Sequence, residues 1–260
     1  MARVCPLFSG STGNSYYIGS KSAGVLIDAG RSARQMEGML KLCGIDPLAV
    51  HAILVTHEHS DHVSGLRVFA KKYGVPVFCT PGTLSALGTA AAEFEARPLC
   101  AELTIGDMAI THFPVSHDCA QPVGYRIHTA DGRVVALATD LGFLSDEVKA
   151  GLLEADLVVL ESNHDIDMLR FGPYPYPLKQ RVLSDRGHLS NAACAAFLPE
   201  LLRAGTRRFV LGHLSRQNNT PELALQTALA SLVQAGFVPE VDFLLEAAPV
   251  ENRAGKSIIL

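Results

Sequence analysis

The sequence predicts an α/β sandwich: two sheets packed face to face, with helices covering their outer sides. Three observations lead there. Short apolar runs alternate with amphipathic helical stretches in the first third of the chain and again in the second half, the pattern of helices laid over sheet faces. Metal-ligating side chains recur just after apolar runs, where a site on sheet edges would collect them. No repeat, low-complexity tract or long linker divides the 260 residues, so 1–260 is expected to be a single domain with a large core.

The elements follow in order. Residues 16–18 and 24–27 are predicted as strands around a turn. Ser32 can cap a helix carrying Met36, Met39, Leu40 and Cys43 at helical spacing up to Gly44. A strand at 53–55, a helix over 63–73, a strand at 75–78 and a helix opened by Thr80-Pro81 come next. Strands are then expected at 109–113, 124–128, 134–138 and 157–160, and a proline-rich loop over 171–178. A helix over 190–203, a strand at 209–211, a helix over 221–234 and a strand at 243–245 complete the pattern.

Composition narrows the class. No apolar run reaches the roughly 18 residues that span a bilayer, and the start lacks a signal peptide's apolar segment. Six cysteines without C-x-x-C spacing read as buried thiols of a reducing, cytoplasmic protein. A net charge of −4 argues against a general electrostatic grip on nucleic acid. Locally the balance reverses. Residues 201–221 hold no acid but carry Arg203, Arg207, Arg208 and Arg216, and a second basic group contains Arg170, Lys179, Arg181 and Arg186.

The chemistry concentrates in Thr56-His57-Glu58-His59-Ser60-Asp61-His62, which follows the apolar run 52–55. Neutral imidazoles and a carboxylate are the ligands that borderline divalent metals prefer, and a metal explains their crowding. Three further residues repeat the placement: His117 after 110–113, Asp140 after 134–137 and His213 after 208–210. A lone histidine at a strand end is usually an ordinary surface residue; the shared context makes the set specific. His51, His112 and His128 fall outside any such motif and read as structural.

The His57-x-His59-x-Asp61-His62 motif resembles the signature of the metallo-β-lactamase superfamily. The resemblance implies a four-layer αββα sandwich and two divalent ions that hydrolyse esters, amides, thioesters or phosphodiesters. His57, His59 and His117 then match the ligands of one ion, Asp61, His62 and His213 those of the other, and Asp140 the bridging carboxylate. Two ions about 3.5–4 Å apart with a bridging hydroxide make a nucleophile available at neutral pH, and Asp61 is expected to orient or deprotonate that water. Asp28 matches an aspartate that orients the metal loop, and His164 is expected to support the site or touch substrate. Zinc suits the ligand set best, with manganese or iron as alternatives.

Gly187-His188-Leu189-Ser190-Asn191 resembles the His-Ser/Thr motif of the phosphodiesterase branches, where the histidine protonates the leaving oxygen; a histidine near neutrality suits that role. The segment 8–15, Glu161-Ser162-Asn163-His164-Asp165, and His213-Leu214-Ser215 with Asn218-Asn219 are similar to the YycJ/WalJ-like branch of single-domain proteins. That resemblance implies a 5′→3′ DNA exonuclease using Asp61 and His188 in catalysis. Arg170, Lys179, Arg181, Arg216 and Asn191 are the candidate contacts to a nucleic-acid substrate. The alternatives are a small-molecule, cyclic-phosphate phosphodiesterase and an ester or thioester hydrolase.

Overall fold

The apolar run 24–27 shows how the chain builds its layers. Val25 and Ile27 face a core between two sheets, while Leu26 packs on the opposite side with helix residues. Successive strand residues point to opposite faces, so a strand buried on both sides reads as a continuous apolar run. The same alternation separates Leu137 from Ala136, Val159 from Val158 and Val210 from Phe209.

The computed structural model describes residues 1–260. The first sheet contains β1 (Arg3–Phe8), β2 (Ser15–Gly19), β3 (Gly24–Ile27), β4 (Ala52–Leu54), β5 (Val77–Cys79), β6 (Ala96–Pro98) and, from the far end of the chain, β14 (Ile258–Ile259). Its order is β14-β1-β2-β3-β4-β5-β6. The second contains β7 (Glu102–Ile105), β8 (Met108–Pro114), β9 (Val123–Thr129), β10 (Val134–Ala138), β11 (Leu157–Glu161), β12 (Arg208–Gly212) and β13 (Leu244–Ala247), in the order β13-β12-β11-β10-β9-β8-β7.

Helices α1 (Ala33–Leu42), α2 (Ser60–Val63), α3 (Leu66–Tyr73) and α4 (Pro81–Leu87) belong to the first half. Helices α5 (Asp146–Leu152), α6 (Ile166–Phe171), α7 (Tyr176–Val182), α8 (Asn191–Arg203) and α9 (Pro221–Gln234) belong to the second. Three cores separate the layers. Met36, Leu40 and Phe69 pack under the first sheet with Leu26 and Ile53; Ile18, Ile27, Leu54, Ile127, Leu137 and Val159 fill the space between sheets; Val148, Leu198 and Leu201 cover Val158, Leu160 and Phe209. This is the expected four-layer αββα sandwich. No helix is long and apolar enough to cross a membrane.

Strand direction decides where the site can form. β3 to β6 run parallel, as do β10 to β13. β1 and β8 are each two antiparallel steps from β3 and β10, so they share that direction. The carboxyl ends of β1, β3, β4, β8, β10, β11 and β12 therefore open on the same edge, where open α/β sheets bind ligands.

Several predicted boundaries shift. The helix expected over 63–73 is split at Gly65, where a Cβ would sit 1.8 Å from the carbonyl oxygen of Arg31. The proline-rich loop shortens because Tyr176 begins α7, with Pro177 in its first turn, where its missing N–H costs nothing. β1 escapes the sequence reading because Pro6 argues against a strand. β14 pairs only with Arg3 and Val4, so the proline lies past the end of that pairing.

Candidate metal centre

Seven side chains from both sheets converge on the shared edge. His57, His59 and His117 form a triangle with ring centroids 4.7, 5.1 and 5.0 Å apart. Beside it, His62 Nε2 lies 3.6 Å and His213 Nε2 3.7 Å from Oδ2 of Asp61. Asp140 stands between the groups, with Oδ2 3.2 Å from His62 Nε2, and Oδ1 3.8 Å from His117 Nε2 and 3.4 Å from His213 Nδ1. Within each of the sets His57/His59/His117, Asp61/His62/His213 and His57/His62/Asp140, the possible ligand atoms all lie within 4.8 Å of one another.

Local backbone geometry aims these groups. Asp28, Asp140 and His213 follow the ends of β3, β10 and β12, and all three adopt left-handed φ, at 63°, 59° and 54°. Among non-glycine residues Asp, Asn and His tolerate that region best. Each such turn ends its strand abruptly; at Asp140 and His213 it directs the side chain into the site, and at Asp28 toward the back of His62. The 57–62 loop is held by Asn14 N–H donating to Asp61 O (2.7 Å) and Ala29 N–H donating to His62 O (2.8 Å). A Cβ on Gly30 would meet Asp61 O at 1.8 Å, so only glycine fits beneath this loop.

Buried carboxylates orient the rings from behind. Asp28 accepts from Thr56 N–H and Thr56 Oγ1–H (2.8 Å each) and from His62 Nδ1 (2.7 Å), placing His62 Nε2 toward the site. Glu161, with no exposure, does the same on the other side: Oε1 meets His188 Nδ1 at 2.9 Å and His213 Nδ1 at 2.8 Å, while Oε2 accepts from Leu141 N–H and Leu189 N–H at 3.0 Å. His117 Nδ1 donates to Gly187 O at 3.0 Å, so its Nε2 also faces inward.

The donor set fits a divalent cation. His57 Nε2, His213 Nε2 and Asp140 Oδ2 are inaccessible to solvent and, despite the close approaches of His62 to Asp140 and of His213 to Asp61, complete no hydrogen bond within the chain. Buried polar atoms are rarely left so, and three of them converging here mark a place for an ion. Burial pushes the His57 imidazole well down, as do His62 and His117 nearby, and burial likewise pushes His117 down. Both are thus neutral, as an imidazole must be to bind a cation. Burial would also lower His62, but Asp140 and Asp28 outweigh it and hold it up at about 10; Asp140 together with Asp61 and Glu161 does the same to His213. Without an ion these two rings keep protons that a divalent cation would replace.

The structure brings together His57, His59, Asp61, His62, His117, Asp140, His213 and His188, with Asp28 behind them. His164 is in none of the candidate ligand groups, though it is near enough for the Glu161 and His188 charges to act on it. It is 1% exposed, but neither ring nitrogen finds a partner in the chain, and only its backbone is used, pairing with Ser190 and Asn191. Asn191 is corrected as a substrate contact. It is 3% exposed, and its amide is consumed by Ser162 Oγ (2.7 Å) and both amide atoms of Asn219 (2.9 Å). Arg181 is at the rim but locked onto Asp118 through Nε (2.5 Å) and Nη2 (3.1 Å). Lys179 Nζ donates to Arg170 O at 2.7 Å; the Arg170 side chain and Arg216 are exposed. Sequence reasoning missed the roles of Glu161, Thr56 and Asn14, whose Nδ2 lies 3.0 Å from His62 Nε2 and 3.3 Å from Asp61 Oδ2. Glu161 ends the apolar β11 much as Asp140 follows β10, so the same placement would have flagged it.

Comparison with known proteins agrees with this geometry. Residues 24–214 match the family described as "Beta-lactamase superfamily domain". The chain is 40% identical over 236 residues to the exodeoxyribonuclease YycJ of Bacillus anthracis, covering 89% of each chain. It is 40% identical over 245 residues to the exodeoxyribonuclease WalJ of Streptococcus pneumoniae serotype 2, covering 91% of this chain and 90% of that one. In fold it resembles the metallo-beta-lactamase fold protein YhfI from Bacillus subtilis (TM-score 0.72, 18% identity, 96% and 97% coverage). It likewise resembles Zn(2+)-bound PqqB from Methylobacterium extorquens (TM-score 0.72, 17% identity, full coverage of both). With residues 24–214 matching the family and two relatives similar over nearly their whole length, the chain belongs to the beta-lactamase superfamily, in the group that includes YycJ and WalJ.

Proposed function

We propose that this chain is a metal-dependent phosphodiesterase that degrades nucleic acid, DNA foremost, from an end. The observation that carries the reading is the placement of His188 beside two candidate ligand sets with Asp140 between them: an acid for a leaving oxygen next to a site for two cations. The names of the YycJ and WalJ relatives supply the substrate class.

His57, His59 and His117 would hold one divalent ion and Asp61, His62 and His213 the other, with Asp140 between them; zinc suits the set, and manganese and iron are the alternatives. When bound, such ions supply a nucleophile at neutral pH and positive charge for the displaced oxygens. The remaining work belongs to the side chains. Asp61, the most exposed carboxylate of the set at 24%, orients the attacking water and accepts its proton. Glu161 holds His188 through Nδ1, which leaves Nε2 to carry a proton to the departing alkoxide. Burial alone would raise Glu161, but the His188 charge and the hydrogen bonds of His188 and His213 hold it down at about 2, so it stays a carboxylate throughout.

Phosphorus and carbon chemistry separate in one comparison. Metal-loaded protein should hydrolyse bis-p-nitrophenyl phosphate and leave a thioester intact. Preference for the thioester would move the chain out of the phosphodiesterases.

A further inference from the structure

A groove of about 350 Å³ lies one loop away from the candidate ligands, lined by Arg31, Arg216, Val250, Glu251 and Arg253. The loop is the Ser9–Asn14 turn. A Cβ on Gly10 would touch Leu214 O at 3.2 Å, and one on Gly13 would strike the Arg31 side chain at 2.6 Å, so the turn is wedged between the two. Its last residue, Asn14, contacts Asp61 and His62, and Arg216 follows His213 by three positions.

The three guanidiniums differ in how they are held. Arg31 lies over the Phe8 ring at 5.6 Å, donates from Nη2 to Thr12 Oγ1 at 3.0 Å, and has an Nε without a partner in the chain. Glu251 is the groove's carboxylate, 3.6 Å from Arg31 Nη2 and 2.9 Å from Arg253 Nη2. Arg216 makes no ion pair at all and is exposed. Three cations against one anion leave net positive charge on a protein that is otherwise acidic. Among the cations flagged in the sequence, Arg181 is matched one to one by Asp118, and Lys179 and Arg186 spend their donors on the Arg170 and His117 carbonyls. In the groove, by contrast, a single carboxylate, which holds Arg253 through both Nε (3.0 Å) and Nη2, stands against three guanidiniums.

We propose that Arg31, Arg216 and Arg253 form a subsite for a phosphate of the nucleic-acid strand other than the scissile one. This rests on the nuclease reading for the identity of the strand. Guanidinium forks match phosphate oxygens in pairs, and Arg31 is preorganised by its stacking and by Thr12. Glu251 sets the orientation of Arg31 and Arg253 while weakening the phosphate's hold.

The test is binding, read by fluorescence anisotropy with a labelled ten-nucleotide single strand and the full-length protein, alongside cleavage of the same strand by wild type. Arg216→Ala and Arg253→Ala should each weaken binding about tenfold and flatten the slope of log affinity against log salt by about 0.7. Arg216→Lys should recover part of the loss, and Glu251→Gln should tighten binding, a direction no structural defect produces. Thermal unfolding of each variant confirms folding, and Arg216→Glu, with a larger loss than Ala, replaces Glu251→Gln if that variant is unstable. Unchanged binding in both arginine variants, or an equal loss in Arg216→Lys and Arg216→Ala, overturns the subsite. A wild type that binds the strand in this arginine-dependent way but never cuts it overturns the nuclease reading and leaves the subsite standing; cleavage with arginine-independent binding does the reverse.

Discussion

His188 Nδ1 lies 2.9 Å from Oε1 of Glu161, and the same oxygen meets His213 Nδ1 at 2.8 Å. One fully buried carboxylate thus orients both a candidate ligand and the candidate acid. Removing the imidazole of His188 should leave metal content intact and lower kcat on DNA by about 100- to 10,000-fold. The loss should shrink below tenfold on bis-p-nitrophenyl phosphate, whose leaving group needs little protonation. Glu161→Gln should harm both metal content and rate, because its one amide oxygen can accept either from Leu141 and Leu189 N–H or from His188 and His213 Nδ1–H, and its NH2 must then face the other donor pair. Equal losses for His188→Ala on the two substrates would remove it from the acid's role.

Asp61 and His59 sit in different candidate ligand sets, and the proposed centre needs both. Asp61→Ala or His59→Ala should abolish phosphodiester hydrolysis while circular dichroism remains that of the native fold, since neither side chain is part of a hydrophobic core. More than a tenth of the activity surviving in a folded variant would contradict their placement.

Asp28 acts through His62. Losing it frees the ring and leaves the Thr56 N–H unpaired, so Asp28→Ala should weaken metal affinity about 10- to 100-fold. In metal-free protein the buried His62 charge also loses a partner, which costs about 3 kcal/mol or more. Titration calorimetry and urea unfolding of metal-free protein read the two effects. An unaltered affinity would show that the 2.7 Å contact is incidental.

His164 gives a pH signature. Burial lowers its imidazole from 6.5 to about 4 in the folded chain, against a smaller opposing pull from Glu161. The unfolded chain takes up this proton at a higher pH than the folded one. The contribution is therefore complete above pH 6.5 and is lost as pH falls from 6.5 toward 4, by up to about 3 kcal/mol. His164→Leu should flatten the wild-type loss of stability across that window. Parallel curves for the two proteins would show that folding leaves the ring's titration unshifted.

The sandwich was legible because its strands are buried on both sides and its helices carry amphipathic spacing, as at Met36 and Leu40 of α1. The ligand set was legible because ligands follow strand ends, and the left-handed turns at Asp28, Asp140 and His213 give that placement a backbone cause. What escaped depended on contacts distant in sequence. Glu161 matters through residues 27 and 52 positions away, Asn191 is spent on an amide network 28 positions away, and Arg181 is cancelled by Asp118, 63 positions away. Charge clusters in sequence do not reveal which cations share a carboxylate or which distant arginines gather in one groove, so Arg31 and Arg253, brought to Glu251 by the fold, went unnoticed while Arg181 was counted.

The most direct test is a time course on end-labelled single-stranded DNA, with metal-reconstituted protein beside chelator-treated protein and His59→Ala. The account predicts stepwise shortening from one end, only with metal and only with an intact ligand set. Intact DNA throughout, from protein that carries its full metal complement and hydrolyses a thioester, would contradict it.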